Sequence, residues 1–365
     1  MLRPEGGVAV TVTGRFPLVV AGAHRMRAAV EAWRARGDTT AASAARDGEL
    51  LAAQAETTRE LLAWQERGAA VSSGEGAVSS SEAAVSSAEG VDLPSDGYVP
   101  VYDEWFAWLP SVSGVEDGPP LRYLDTNTYY HHWRIVATPR RLGPTPAVAA
   151  YRRAAALTPR PLKPCLFGPY TLWAYAERAE GVGPDAFEAM VEHWAAEVAG
   201  LAAAGARYVQ IEESVLLRPK HRRDLPLVAD ALARIAAAAP SLTLIVHFAG
   251  GTLGDLLPDL LDVPGLGGIG LDLSPAYREA NLAALAAWRG DLLLQAGVLD
   301  ARNVRLEGRA ELHDLLAAVN RRVPAERCLA APSTALLYLP RRIAEEKLAA
   351  LVDAAHSYAP SRVAA

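Results

Sequence analysis

The sequence predicts a single (β/α)8 barrel, and three observations lead there. Eight short runs rich in Val, Ile and Leu alternate with longer Ala/Leu/Glu/Arg stretches. The runs are continuously apolar, as strands of a parallel sheet covered on both faces are. Polar residues gather just after the runs, where barrel enzymes place their chemistry. A doubly wound open sheet is the competing architecture. It would place G-x-G-x-x-G after the first strand, and Gly14-Arg15-Phe16-Pro17 stands there instead.

The strands are expected at residues 8–13, 98–102, 164–167, 207–212, 242–247, 268–272, 292–298 and 328–331. Helices are expected at 26–36, 185–204, 225–238, 279–289 and 312–321, where apolar residues recur with helical spacing. One barrel accounts for the whole chain, 1–365, interrupted by a segment of another kind. Residues 68–91 repeat an Ala-Val-Ser-Ser pattern every seven residues, starting at Ala70, Ala77 and Ala84. One Val per heptad cannot build a coiled-coil seam, and Ser and Gly are poor helix formers. The segment reads as a low-complexity surface insertion without a catalytic role. Residues 109–120, rich in Gly, Pro and Ser, read as a loop, and the basic run 218–223 as a solvated face.

Composition narrows the function. The 365 residues are 51% hydrophobic, ample for a large core, and the net charge is -6. A nucleic-acid binder would carry a basic surplus. Two Cys cannot supply a disulfide framework or a four-Cys metal site. No apolar run reaches the ~18 residues of a membrane span, and the charged start, Met1 to Gly7, is not a signal peptide. The expectation is a cytoplasmic protein that handles a small molecule.

Seven strand ends carry ionisable or hydrogen-bonding groups. Arg15 follows the first strand and Asp96 precedes the second. Asp125, Asn127, His131 and His132 lie in an aromatic stretch after it. Adjacent histidines on an extended segment point opposite ways and make a poor metal pair. Gln210 and Glu212 share one face of the fourth strand. Glu212 is assigned inward, which leaves Glu213 to cap or pair. His247 ends the fifth strand beside Asp272 on the sixth. Asp300 and Arg302 follow the seventh, with mutual pairing as the plain alternative. Thr334 follows the eighth.

Taken in order, these strand ends resemble the cobalamin-independent methionine synthases. The matching segments are Gly14 to Pro17, Leu124 to Asn127, Lys163 to Thr171, Val209 to Glu213, His247-Phe248, Leu271 to Leu273, Gly297 to Asn303 and Ala331 to Leu337. The family enzyme has two similar barrels. This chain has room for one, and the stretches 300–303 and 332–337 look more like the N-terminal barrel, which helps hold folate and lacks the catalytic zinc. In the catalytic barrel the resemblance implies zinc that lowers the homocysteine thiol pKa. Its ligands are a His-x-Cys pair, a Glu and a last Cys. His247 keeps the His, Ala249 stands for the first Cys, Asp272 for the Glu and Thr334 for the last Cys. Both soft thiolates that favour zinc are missing. Cys328 lies six residues before Thr334, about 20 Å down its strand, and Cys165 lies inside its own strand. Both are expected in the core rather than at the mouth.

The resemblance also maps Glu212 to the acidic residue that holds the substrate amine, and Arg15 to a Ser of the amino-acid pocket. The reading is therefore a methionine-synthase-like, methyltransferase-related barrel acting on a small thiol or a folate-type ligand. Its cofactor is unassigned and zinc is not expected. Glu212, His247 and Asp272 sit at the reacting centre. Arg15, Asp96, Asp125, Asn127, Gln210, Asp300, Arg302 and Thr334 bind substrate. The partner is an amino acid, a folate or another carboxylate, with neither nucleic acid nor membrane. The alternatives are a non-catalytic binding barrel or partner subunit, and a metal-free, decarboxylase-like acid–base enzyme.

Overall fold

A computed structural model describes residues 7–15, 21–37, 47–66, 90–96, 111–122, 129–143 and 146–359. The strands are β1 (Ala9–Val10), β2 (Val112–Arg122), β3 (Tyr129–Arg141), β4 (Cys165–Phe167), β5 (Glu177–Arg178), β6 (Tyr208–Glu212), β7 (Thr243–Phe248), β8 (Gly268–Asp272), β9 (Leu293–Leu299) and β10 (Cys328–Pro332). The helices are α1 (Ala21–Ala35), α2 (Gly48–Glu66), α3 (Pro146–Ala155), α4 (Pro169–Tyr175), α5 (Pro184–Ala203), α6 (Leu225–Ala237), α7 (Leu257–Leu261), α8 (Arg278–Ala284), α9 (Arg309–Asn320) and α10 (Arg341–Ser357).

Seven strands form one curled sheet in the order β1-β10-β9-β8-β7-β6-β4, and every pairing is parallel. Residues 91–95 bridge its two edges. Leu93 pairs in parallel with Thr11 beside β1, and Lys163 N, just before β4, donates to Pro94 O at 2.9 Å. The expected strand 98–102 lies outside the described residues, as does the repeat segment up to residue 89.

Strand alternation divides the buried residues into two sets. Val209, Ile211, Leu244, Val246, Ile269, Leu271, Leu294, Ala296 and Val298 face outward and join the main core with the helices. The inward set begins with a separate apolar cluster of Ala9, Leu93, Ile245 and Leu329, packed by Tyr208 and Leu293. These lie toward the N-terminal ends of their strands and plug that end of the bore. Two inward positions on β8 are glycines. A Cβ on Gly270 would lie 2.3 Å from His247 Nδ1, and one on Gly268 would lie 3.1 Å from Ile245 Cγ1. β7 therefore reaches across the bore only because β8 has no side chains there.

One expectation is overturned. The stretch read as a loop, 109–120, holds most of β2, which pairs antiparallel with β3 in a long hairpin, while β5 adds to β3 in parallel. Pro119 and Pro120 hid the strand. On an edge strand, Pro costs no interior ladder bond, and β2 is an edge. Trp133 of the hairpin packs on Trp194 of α5 with ring centroids 6.3 Å apart.

Gly270→Ala is expected to cost about 1–3 kcal/mol through overpacking, read by urea denaturation. Gly48→Ala, where a Cβ meets nothing within 4 Å, is expected to stay within about 0.5 kcal/mol of wild type.

Candidate functional site

Above the apolar plug the bore turns polar. Lys163, fully buried, enters it ahead of β4. Its Nζ donates to Val12 O at 2.8 Å, to Gln295 Oε1 at 2.7 Å and to Gln210 Oε1. These three neutral acceptors use all three ammonium protons. Gln295 Nε2 has two N–H groups and three acceptors within reach, Gln210 Oε1 at 3.0 Å, Thr13 Oγ1 at 3.1 Å and His247 Nδ1 at 3.3 Å. His247 Nε2–H donates to Ser333 O at 3.1 Å. The ring is therefore a neutral Nε2–H tautomer with both nitrogens engaged. Burial, helped by the Lys163 ammonium, holds the His247 pKa down at about 3. Burial also lowers Lys163 to about 8. Gln210, assigned to substrate from the sequence, is 1% exposed and belongs to this floor.

The adjacent glutamates separate as expected from strand geometry. Glu212 shares its row with His247 and Phe167, so it faces inward at the C-terminal end of β6. Its Oε1 accepts from Ser214 Oγ at 3.0 Å, and that Oγ accepts from Ala249 N at 2.9 Å. Glu213 faces away and caps α4. It accepts from Tyr170 N at 3.0 Å and from both Thr171 N and Thr171 Oγ1 at 2.7 Å. Gly168 leaves the room for this: a Cβ there would collide with the Glu213 carboxyl at 2.0 Å. Burial pushes Glu213 up to about 7 despite these donors.

Asp272 is fully buried. Its Oδ2 accepts from Gly250 N at 3.0 Å and its Oδ1 from Ser274 N at 2.8 Å. It thus clamps the loops after β7 and β8, and burial raises its pKa. Asp300 Oδ1 accepts from Arg302 N at 2.9 Å. The expected alternative of mutual pairing thus takes the form of a turn rather than an ion pair. The Arg302 side chain is exposed, and Nη1 lies 3.7 Å from where a Cβ of Gly250 would sit. Arg15 is half-buried after β1, and its carbonyl accepts from Leu337 N at 3.0 Å. Thr334 is buried just past β10. Asp96 is buried on the α3 side, where its charge opposes the lowering of Arg153 by burial. Asp125 and Asn127 lie outside the described residues. His131 and His132 do point opposite ways: His131 Nδ1 bonds Asp117 Oδ1 at 2.8 Å in the open, and buried His132 Nδ1 donates to Pro119 O at 2.6 Å.

Cys165 pairs in register with Gln210, so it faces the bore at the level of the floor, below the mouth, and burial holds its thiol pKa above the ordinary value. Strand parity alone would have placed it there. Cys328 is buried as expected. One reading is corrected: the basic run 218–223 is more than a solvated face. Arg222 donates to Thr252 O and Leu253 O, both at 3.0 Å. Tyr170 Oη donates to Asp224 Oδ2 at 2.6 Å and accepts from His221 Nδ1 at 2.8 Å. Together they pin the loop after β6 over the barrel rim. Sequence reasoning also gave no role to Lys163 or Gln295. The signal was there: each is a lone polar residue at or beside an apolar run.

A barrel whose polar groups converge at the C-terminal ends of parallel strands belongs to the class that binds small molecules at that end. More narrowly, the chain belongs to the cobalamin-independent methionine synthase family. Residues 115–324 match the model of the cobalamin-independent synthase N-terminal domain. The 5-methyltetrahydropteroyltriglutamate–homocysteine methyltransferase of Rhodopseudomonas palustris is 34% identical over 234 residues, 62% of this chain and 29% of that protein. The Caulobacter vibrioides enzyme of the same name is 33% identical over 236 residues, 63% and 30% of the two chains. This chain thus spans about three-tenths of the length of these curated relatives. Among solved structures, a B12-independent methionine synthase from a Shewanella species in complex with selenomethionine superposes with TM-score 0.74 at 16% identity, over 96% of this chain and 97% of that one. A methyltransferase from Methanosarcina mazei gives 0.57 at 14% identity, over 96% and 95%. At such identities the likeness is one of fold. Among the described residues no helix is long and apolar enough to cross a membrane.

The donor set does not fit the zinc that the resemblance implies. Ala249 has no donor atom, both His247 nitrogens and both Asp272 oxygens are engaged, and Thr334 offers no soft thiolate. Among the described residues no three His, Cys, Asp or Glu side chains are placed to hold one ion.

Two outcomes follow. Elemental mass spectrometry should find well below one zinc per chain, with or without added zinc and homocysteine; stoichiometric zinc would overturn this reading of the donors. Lys163 sheds its proton more readily when folded, because its pKa is about 8 rather than the ordinary 10.5. Between those values the unfolded chain binds more protons, so stability rises with pH there. The stability of wild type relative to Lys163→Met is therefore expected to grow by up to about 3 kcal/mol from pH 8 to 10.5. A flat difference in chemical denaturation would refute it.

Proposed function

We propose that this protein is a methyltransferase-related barrel that binds a small amino-acid thiol or a folate-type ligand at its C-terminal mouth, without a zinc–thiolate centre. The observation that carries the reading is Glu212, a carboxylate facing the bore at the end of β6, over a floor where Gln210 and Gln295 hold the Lys163 ammonium. A carboxylate so placed suits a ligand's ammonium or protonated ring nitrogen. Family membership and the relatives' names supply the ligand class.

In this reading Arg15 takes the ligand's anionic end as a guanidinium fork takes a carboxylate. Arg302 approaches from the opposite rim. Asp125 and Asn127 bond the polar edge, and Asp96, Asp300 and Thr334 shape the wall. His247 and Asp272 act through position rather than chemistry: His247 completes the floor and Asp272 holds two rim loops in register. The Glu212–Ser214–Ala249 chain of hydrogen bonds fixes the carboxylate relative to the loop after β7. A partner subunit and a cytoplasmic location belong to the same proposal.

The second reading, a barrel that binds without turning over, draws support from the engagement of both His247 and Asp272. Acid–base catalysis by His247 finds none, since its Nε2–H is given to Ser333 O and its Nδ1 faces Gln295 Nε2, with neither nitrogen directed at a ligand. Titration calorimetry with homocysteine, methionine and 5-methyltetrahydropteroyltriglutamate tests the binding. Glu212→Ala should weaken whichever ligand binds at least ~10-fold, the range of a lost charged hydrogen bond. Unchanged affinity would remove Glu212 from the site. Methyl transfer measured with the same ligands separates the two readings.

A further inference from the structure

A buried ion pair lies outside the bore, between α10 and the segment after β9. The side chains of Lys347 and Glu307 are 0% and 3% exposed. Lys347 Nζ donates to Glu307 Oε1 at 2.9 Å and Oε2 at 2.8 Å, and to Asp300 O at 2.8 Å. Glu307 Oε1 also accepts from Asp300 N at 3.1 Å. The pair therefore grips both backbone polar groups of Asp300. Asp300 Oδ1 accepts from Arg302 N, and Ala301 N donates to Ser333 Oγ at 3.2 Å. The far side is held by Arg305, whose guanidinium makes two 2.8 Å bonds to Glu311. Arg302 projects from this frame to the rim at Gly250, whose N–H is held by Asp272.

Stability does not account for the pair. Two charges taken out of water regain little more than their desolvation cost, and an apolar pair of the same volume serves a core as well. What an apolar pair cannot do is hold the N–H and the carbonyl of one residue from opposite sides. We infer that Lys347 and Glu307 are positioning residues for the mouth: they fix the 300–307 loop so that Arg302 meets a second anionic group of the ligand, across the mouth from Arg15. This rests on the ligand class proposed above.

The test uses hydrogen exchange of the 300–307 amides and the affinity for 5-methyltetrahydropteroyltriglutamate. The full-length chain carries Arg302→Ala, the double change Lys347→Met/Glu307→Gln, or all three. The double variant leaves no unpaired buried charge. It should keep its melting temperature within a few degrees, exchange the loop amides at least tenfold faster, and bind at least fivefold more weakly. Arg302→Ala should weaken binding about tenfold, and the triple variant no further, because groups acting through one contact are not additive. A loop as protected as in wild type, or a double variant that binds like wild type while Arg302→Ala does not, overturns the inference. So does a triple variant whose losses multiply. Should the double variant fail to fold, Glu307→Gln alone, which keeps the Lys347 bond to Asp300 O, is expected to show the same changes in smaller degree; no change overturns the inference. If wild type does not bind the triglutamate at all, the ligand class proposed above fails. Exchange alone then decides the tether: a loop unchanged in the variants overturns it.

Discussion

A single ammonium group in a dry bore sets the terms for the rest of this molecule. Lys163 Nζ has lost its water and has no carboxylate among its three bonded acceptors. A buried charge without full hydrogen bonding costs several kcal/mol, so each acceptor has to be held where it is. Val12 O comes from the backbone leaving β1, Gln210 from β6 and Gln295 from β9. The amine thus ties together parts of the sheet that are far apart in the chain. Both glutamines must turn an oxygen toward Lys163, and this fixes which way their amides point. Gln295 then has N–H groups to give, and one goes to His247. The ring's tautomer follows, and with it the bond to Ser333 O. The orientation of one amine propagates across the bore through four side chains.

The rim obeys a related rule. Three segments after strands are fastened by buried side chains with backbone partners. Glu213 holds the start of α4, Asp272 holds Gly250 and Ser274, and Glu307 with Lys347 holds Asp300. A carboxylate satisfied by backbone N–H groups suits this task because it accepts several bonds at once without a matching cation. Such clamps leave few rim groups directed at the bore, which is why Glu212 stands out.

The barrel was legible because its signals are local: continuous apolar runs, helical spacing between them, and polar strand ends. Seven of the eight expected strands appear within a few residues of their places, and Glu213 caps as the parity of β6 required. The hairpin was not legible, because edge strands tolerate the Gly and Pro that mark loops elsewhere. The site was only half legible. Sequence shows which residues are polar, and not which polar atoms are already used. His247 and Asp272 look like catalytic residues in a list of strand ends. Their partners, a glutamine amide, a carbonyl and two backbone amides, carry no signature at all. Lys347 lies on a helix face with Ala344, Leu348 and Leu351, where an amphipathic pattern predicts a Leu.

The four positions that the resemblance aligns with the zinc ligands of the catalytic barrel fall into two kinds. Ala249 has no donor atom and Thr334 no thiolate. His247 and Asp272 have partners within the protein. Removing His247 would strand Ser333 O inside the bore, and removing Asp272 would strand two backbone N–H groups, each at a cost of about 1–3 kcal/mol. The floor and the rim are therefore held by their own hydrogen bonds, independently of any bound group. The ligand specificity of this barrel is to be sought in side chains that face the mouth, and Glu212 on β6 and Arg302 at the rim lead those at the described mouth.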